Sequence, residues 1–156
     1  MNETYFSAIT ALGEVDYVNL EKTFFKINGR DIQKEIDASI RTLAVGSSAV
    51  VVVTDDPDLH NKSVSDSYRP NRIGNLMAFD ANGDLLWRIN DLYNDVHFPF
   101  CGGHFASKEE REHFSKWHQI DFDPNHEYFI GLTYADEHYI IDLTSQKLVA
   151  RKVLRT

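Results

Sequence analysis

The chain has 156 residues, of which 42% are hydrophobic and 12% aromatic, and its 24 acidic and 16 basic residues give a net charge of −8. This composition excludes an intrinsically disordered chain and fits a single globular domain over residues 1–156. The acidity excludes free nucleic acid as a partner, because affinity for nucleic acid comes largely from Lys and Arg side chains that displace counterions.

Cysteine content and apolar runs bear on the compartment. The only cysteine, Cys101, has no second cysteine with which to form a disulfide, which is typical of a reducing cytoplasm. The longest apolar run, residues 49–53, is much shorter than the roughly 20 residues that cross a bilayer. The N-terminal residues lack the basic and apolar regions of a signal peptide. We therefore expect a cytoplasmic protein with no membrane partner.

The first predicted element is a hairpin around Asn28 and Gly29. Asn-Gly is the dipeptide that most readily takes the positive φ angles of a tight turn, and apolar residues flank it on both sides. We therefore expect strands at residues 24–27 and 32–36. A helix over residues 31–41 is the competing interpretation, because isoleucine recurs there at helical spacing.

The next segment predicts a central strand followed by a long loop. Residues 42–54 are dense in β-branched side chains, too apolar on both faces for an edge strand, and interrupted at residues 46–48. Residues 55–72 contain two prolines and many polar residues without periodicity. Loops of this length in compact domains are often functional. Upstream, residues 15–20 are a further strand or the approach to the first hairpin.

A second hairpin is predicted where two apolar segments enclose Asn82 and Gly83. The sequence of residues 78–87, "AFDANGDLLW", resembles the hairpin found in blades of quinoprotein-type β-propellers and in small bacterial β-meander proteins. The resemblance implies a local hairpin, in which Asp80 bonds the turn backbone and Trp87 packs across it. A closed propeller needs at least four blades of about forty residues, so we expect an open antiparallel sheet.

The stretch "HFPFCGGH" at residues 97–104 has three interpretations. Cys101 with His97 or His104 would serve as the nucleophile and base of a small hydrolase. Cys101 and His104 would supply two of the four ligands of a structural zinc site. In the interpretation we favour, residues 98–100 anchor a loop in the core, Cys101 is a small buried apolar residue, and residues 102–103 turn the chain toward a helix.

The remaining histidines do not complete a metal site. His113 and His118 are five residues apart on a predicted helix and are expected to point to different sides. His60, His126 and His138 fall in separate loops and strands. No nucleotide-binding or hydrolase motif occurs, so we expect no metal and no cofactor.

A helix is predicted from residue 108, because Ser107 and Glu110 form a capping box at its start. Phe114 and Trp117 are expected to face the sheet. The C-terminal third predicts a three-stranded meander with strands at residues 128–134, 138–142 and 148–150. The expected fold is therefore mainly β (α+β), an antiparallel β-meander sheet with one or two helices packed on it.

Acidic residues near an aromatic side chain are the candidate partner-binding group. They lie at the start of the long loop and after the second hairpin. Carboxylates beside exposed aromatics complement the cationic cleft of a nuclease, although turn aspartates are the alternative use. The candidate residues are Asp55, Asp56, Asp58, Asp91, Tyr93 and Asp95.

In length, acidity and its single cysteine the chain resembles, by general type, the heterogeneous immunity proteins that bacteria make against polymorphic toxins. The resemblance implies a cytosolic protein that neutralises a basic, nuclease-type toxin domain by occluding its active site or substrate face, without catalysis. It assigns a role to no individual residue. The alternative is the small hydrolase built on Cys101 with His97 or His104, and a third option is a β-meander domain that binds a small ligand.

Overall fold

The computed structural model describes residues 4–19, 23–36, 39–55 and 74–153. Within these ranges twelve strands form three antiparallel sheets, and each sheet contains four strands that follow one another along the chain. This architecture confirms the mainly β fold and its meander topology. The meander is divided among three sheets, where we expected one.

The first sheet consists of β1 (Thr4–Thr10), β2 (Gly13–Asn19), β3 (Thr23–Ile27) and β4 (Arg30–Asp31). The second consists of β5 (Ile40–Val45), β6 (Val50–Thr54), β7 (Leu76–Phe79) and β8 (Leu85–Arg88). The third consists of β9 (Phe100–Phe105), β10 (Tyr128–Thr133), β11 (Glu137–Asp142) and β12 (Lys147–Val153). The helical segments are α1 (Gln33–Ile36), α2 (Ile89–Leu92) and α3 (Lys108–His118).

The second sheet is the middle layer of the molecule. Because side chains alternate along a strand, Val50 and Val52 of β6 pack with the first sheet, whereas Val51 and Val53 pack with the third. Every residue of β6 is buried. Two apolar cores therefore lie on opposite faces of one sheet, which explains why this strand lacks a polar face.

The prediction of one central strand over residues 42–54 is wrong. The segment folds back on itself as β5 and β6, and the turn at residues 46–48 is closed by a bond from the Gly46 N–H to the Ala49 carbonyl of 2.9 Å. Burial on both faces removes the periodicity that would have marked two strands, so the turn residues were the only local sign of a hairpin.

The hairpin at Asn28 and Gly29 is confirmed, with φ angles of 49° and 82° at these residues. Its second strand is the short β4, and the predicted strand over residues 32–36 is wrong. That segment forms the single helical turn α1, so among the described residues the competing helix prediction holds over Gln33–Ile36. Ile40 belongs to β5, while the strand expected near residues 15–20 is β2.

The hairpin at residues 78–87 is confirmed as β7 and β8. One carboxylate oxygen of Asp80 accepts hydrogen bonds from the backbone N–H groups of Asn82 and Asp84, both at 2.9 Å. Trp87 is buried between the second and third sheets. The C-terminal meander is confirmed as well, and β9 adds a fourth strand to it.

Helix α3 covers the outer face of the third sheet. Ser107 caps it and Glu110 completes the capping box, as predicted. Phe114 is buried against Ile130 and Ile140. Trp117 is 61% exposed, so the expectation that it also faces the sheet is wrong. In the described ranges, no helix has both the length and the apolar character required to cross a bilayer.

The expected turn at residues 102–103 is wrong, because both glycines lie inside strand β9. The ring of Phe129 covers Gly103, and a Cβ atom there would lie 2.5 Å from the ring. Glycine is needed at this position for close packing, and not for a turn. Phe100 is fully buried, as expected, whereas Phe98 is 46% exposed and does not anchor the preceding loop in the core.

Candidate functional site

The second and third sheets have two ends with different surface chemistry. We name the first the Tyr134 end, which comprises Arg41, Asp55 and residues 93–99 and 134–137. The opposite end, here the Asn28 end, comprises the turns at residues 46–48, 80–84 and 143–146 and residues 123–127, together with the turn at residues 28–29 of the first sheet, which bonds to Ala81. Strand direction places these loops, because each hairpin returns the chain to the end from which it started.

A buried amide fixes the backbone of the Tyr134 end. Asn75 is 3% exposed, and its Nδ2 group donates to the carbonyl oxygens of Thr54 at 2.9 Å and Phe100 at 2.8 Å. Its Oδ1 atom accepts from the Phe100 N–H at 2.8 Å. These bonds join the second sheet to the third and set where β9 starts.

Arg41 brings Asp55 and Tyr134 together at this end. Its Nε atom donates to the Cys101 carbonyl at 2.9 Å, and its guanidinium carbon lies 5.8 Å from the centre of the Tyr134 ring. An Nη1 atom of Arg41 lies 3.7 Å from a carboxylate oxygen of Asp55. Tyr134 remains 42% exposed. Its backbone N–H donates to the Pro99 carbonyl at 3.2 Å, which places Tyr134 close to Phe98 along the surface.

Tyr93 and Asp95 also lie at the Tyr134 end. The Tyr93 hydroxyl donates to a carboxylate oxygen of Asp95 at 3.4 Å, and the other oxygen lies 2.8 Å from Nε2 of His97. The side chains of Asp95 and His97 are 61% and 60% exposed. The carboxylate is therefore open to a partner, while Tyr93 lies over the sheet below it.

An ion pair, in which only the carboxylate is buried, supports the Tyr93 ring. Glu137 is buried and bonds Arg151, whose guanidinium carbon lies 5.6 Å from the centre of the Tyr93 ring. Tyr139 packs edge-on against Tyr93 with ring centres 5.9 Å apart. Its hydroxyl has no hydrogen-bond partner among the described residues, and burial, with the Glu137 carboxylate nearby, raises the pKa of Tyr139 to about 12. The contacts with Arg151 and Tyr139 therefore hold the Tyr93 ring in place.

Asp91 is the remaining described member of the predicted partner-binding group. Asp91 accepts a hydrogen bond of 3.0 Å from the Arg88 N–H and so completes the start of α2. This hydrogen bond is of the kind expected in the alternative interpretation, in which the aspartates stabilise local turns. Asp56 and Asp58 lie outside the described residues, as does His60.

Sequence reasoning missed Phe98, Tyr134 and Arg41. Phe98 stood in an apolar run that predicted burial, and Tyr134 stood at the end of a predicted strand. Arg41 carried no signal, because its contacts with Cys101 and Tyr134 come from residues about 60 to 90 positions further along the chain. A useful sign was available only for Tyr134, an aromatic side chain directly before a turn.

Cys101 and its neighbouring histidines are engaged separately. The Cys101 thiol donates to the Leu132 carbonyl at 3.4 Å, and Cys101 is only half-buried. Strand alternation places His104 on the opposite face of β9, where its Nε2 atom lies 2.7 Å from a Glu110 carboxylate oxygen. His97 contacts Asp95. This geometry does not form the catalytic pair of the hydrolase hypothesis.

His113 and His118 do not diverge as expected. Their ring centres lie 6.1 Å apart, and both rings contact Phe114. In the part of the chain that the structure describes, no group of three or more His, Cys, Asp and Glu side chains is arranged to hold a metal ion.

At the Asn28 end, polar side chains bond to neighbouring turns. Glu127 accepts hydrogen bonds of 3.1 to 3.2 Å from the Ser47 N–H and from the hydroxyls of Ser47 and Ser48, which ties the third sheet to the second. Asn28 donates to the carbonyls of Leu12 at 2.9 Å and Ala81 at 2.7 Å, which ties the first sheet to the second. This end is therefore held together by its own polar groups.

Two histidines of the third sheet have opposite pKa shifts. A hydrogen bond of 2.7 Å between Nδ1 of His126 and Asp142 raises the pKa of His126. Burial lowers the pKa of His138, whose Nδ1 atom has no hydrogen-bond partner among the described residues. His126 belongs to the Asn28 end, and His138 directly follows the Tyr134 end on β11.

No protein-family model matches this sequence, and the search of curated proteins finds no matching relative.

Proposed function

We propose that this chain is a cytoplasmic immunity protein, which binds a basic, nuclease-type toxin domain through the Tyr134 end and occludes its active site or substrate face. The observation that carries the proposal is the pair of half-exposed aromatic side chains, Phe98 and Tyr134, on a backbone that buried Asn75 holds in place. The resemblance in type and the acidic charge agree with it.

Aromatic anchors are the expected source of affinity. Phe98 and Tyr134 are 46% and 42% exposed, and Arg41 lies beside the Tyr134 ring. Aromatic residues and arginine are enriched at the centres of protein interfaces, where truncation of one anchor costs about 2 kcal/mol or more. An exposed aromatic pair next to a guanidinium is therefore suited to an interface core.

The charge of the chain supports a cationic partner. The net charge of −8 attracts a basic domain over a distance, and the exposed carboxylate of Asp95 belongs to the same end as the two aromatic side chains. Charges at the rim of an interface mainly raise the association rate and make it sensitive to salt. The carboxylates would thus speed the encounter, and the aromatic side chains would hold the complex.

The rigid base of the Tyr134 end lowers the cost of binding. Asn75 fixes the start of β9, and the Glu137–Arg151 pair supports Tyr93. Interface side chains that are already ordered lose less conformational entropy on association. This arrangement favours tight binding by a surface that does not refold.

The proposal is tested by affinity capture from the source organism's lysate, supplemented with the products of neighbouring reading frames, with mass spectrometry of the retained proteins. A toxin domain should dominate. The dissociation constant is then measured for Phe98→Ala and Tyr134→Ala, which should each weaken binding by about 30-fold or more. Trp117→Ala, which removes an exposed aromatic side chain on α3, is the matched control and should leave the affinity unchanged.

Asp95→Lys should slow association at low salt, and the difference from the unmodified chain should shrink as the salt concentration rises. An affinity that depends on Trp117 but not on Phe98 or Tyr134 would place the interface elsewhere. Turnover of a substrate that requires the Cys101 thiol would replace the proposal with the hydrolase.

A further inference from the structure

A groove of about 580 Å³ lies between α3 and the segment that follows it. Helix α3 ends at His118, and residues 120–124 then run back along its side, with Ile120 buried beneath. The groove is separate from the Tyr134 end. Its volume falls within the roughly 300 to 1,000 Å³ that small-molecule sites occupy.

The groove is locally basic on an acidic molecule. Lys108, Arg111 and Lys116 of α3 line one wall. The spacing of these residues places Lys108 and Arg111 about one helical turn apart on the same face. Among the described residues, neither Lys108 nor Arg111 has a carboxylate within ion-pair distance. Lys108 and Arg111 thus line the groove without a direct ion pair, although Glu112 and Asp121 line it as well.

Arg111 supplies a guanidinium group to the groove. Its Nε atom is shielded from solvent and has no hydrogen-bond partner in the part of the chain that the structure describes. A shielded atom does not itself contact a ligand in the groove, but guanidinium groups favour phosphate and carboxylate oxygens, and the Arg111 side chain lines this wall.

The opposite wall has a different chemistry. Phe122 and Pro124 present apolar surface to the groove. The Phe122 ring is held edge-on against Tyr128, with ring centres 4.8 Å apart, so its position is fixed. Asp121 and Glu112 also line the groove and can accept hydrogen bonds from hydroxyl or amino groups of a ligand.

We propose that this groove binds a small organic anion, in which a phosphate or carboxylate contacts Arg111 and Lys108, a flat apolar part lies against Phe122 and Pro124, and hydroxyl or amino groups meet Asp121 and Glu112. The volume suits a molecule of the size of a nucleoside monophosphate. The site does not depend on the proposed immunity function, because it shares no residue with the Tyr134 end.

The test is a titration of the full chain with four probes, followed by ¹H–¹⁵N chemical shifts of α3 and residues 120–124. The probes are adenosine monophosphate, indole-3-acetate, adenosine without a phosphate, and inorganic phosphate alone. Adenosine monophosphate or indole-3-acetate should give saturable shifts with a dissociation constant below about 1 mM. The stronger of the two identifies phosphate or carboxylate as the preferred anion.

Three variants distinguish ligand binding in the groove from non-specific electrostatic attraction to the protein. Arg111→Gln should weaken binding by about tenfold or more, because it removes a charge-assisted hydrogen bond. Arg111→Lys keeps the charge and should show an intermediate loss, which also guards against a folding defect. Lys147→Gln removes a charge from the β11–β12 hairpin and should change nothing.

Saturable shifts confined to the groove and lost in Arg111→Gln support the proposal. Binding of adenosine as tight as that of its monophosphate would overturn it, because the anion would then contribute nothing. The proposal would also be overturned if inorganic phosphate were the one probe that binds, or if neither organic anion gave a saturable shift. An affinity that Arg111→Gln leaves unchanged would contradict it as well.

Discussion

The two ends of the sheets use similar residue types for opposite purposes. At the Asn28 end, the side chains of Asn28 and Glu127 form hydrogen bonds with neighbouring turns and so connect adjacent sheets. At the Tyr134 end, the buried Asn75 amide fixes the backbone, and Phe98 and Tyr134 remain half-exposed above it.

This difference separates stability from recognition. Where polar groups bond to the chain itself, their loss should lower the free energy of unfolding and leave partner binding intact. Where aromatic side chains are exposed on a fixed backbone, their loss should weaken binding and leave stability intact. The following changes test that division, from the largest expected effect to the smallest.

Asn75→Ala should produce the largest loss of stability. The substitution leaves the carbonyls of Thr54 and Phe100 and the Phe100 N–H without their partner in a buried setting. Unfolding in urea, followed by tryptophan fluorescence, should show a loss of about 3 kcal/mol. Asn82→Ala, in an exposed turn, is the control and should change the free energy of unfolding by less than about 0.5 kcal/mol. Equal effects would show that Asn75 does not fix the Tyr134 end.

Gly103→Ala and Gly102→Ala are matched neighbours on β9. A Cβ at residue 103 would lie 2.5 Å from the Phe129 ring and 2.7 Å from the Ile130 carbonyl oxygen, whereas at residue 102 the nearest atom is 3.6 Å away. Gly103→Ala should cost about 2 kcal/mol in unfolding free energy, and Gly102→Ala should be neutral or slightly stabilising. The same cost at both positions would contradict the close packing of Phe129 on Gly103.

Glu127→Gln tests the tie at the Asn28 end. The amide keeps one acceptor oxygen but loses the charge and the second oxygen that bind Ser47 and Ser48. We expect a loss of about 1 to 2 kcal/mol in the free energy of unfolding, with partner affinity unchanged. Glu112→Gln on α3 serves as the control. A fall in affinity for the partner would contradict the claim that the Asn28 end contributes to stability and not to binding.

The two histidines should give small pH effects of opposite sign. The raised pKa of His126 stabilises the fold below the unfolded value near 6.5, and this contribution is lost as pH rises through the folded pKa. The lowered pKa of His138 favours the fold above that value, and this contribution is lost as pH falls through the folded pKa.

Free energies of unfolding at pH 5 and pH 8 should therefore separate the two residues. His126→Gln should lose more stability at pH 5, and His138→Gln should lose more at pH 8. A pH dependence identical to that of the unmodified chain in both variants would show that neither contact couples to folding.

The parts of the fold that could be predicted are those whose cause is local. Asn28 and Gly29, Asn82 and Gly83, and the Ser107 cap act within a few residues, and the structure confirms the hairpins and helix that they mark. The hairpin of β5 and β6 escaped prediction because it is buried between two sheets, which removes any polar alternation. One long buried strand and two buried strands joined by a turn give the same apolar sequence pattern.

The candidate site was predictable only in part, for a similar reason. Tyr93 and Asp95 stood near each other in the sequence and do lie at one end of the sheets. Phe98, Tyr134 and Arg41 join them only through the pairing of β9 with β10 and the contact of Arg41 with Cys101. Apolar sequence context predicted burial for Phe98, whereas its place on a loop leaves it exposed.

The most direct test of the proposed recognition surface is the affinity of the captured partner for two double variants. Phe98→Ala with Tyr134→Ala alters the Tyr134 end, and Ser47→Ala with Ser48→Ala alters the Asn28 end. The proposal predicts a loss of at least about 100-fold in affinity for the first and none for the second, with both proteins folded by circular dichroism. Unchanged affinity in the first variant, or a loss confined to the second, would contradict it.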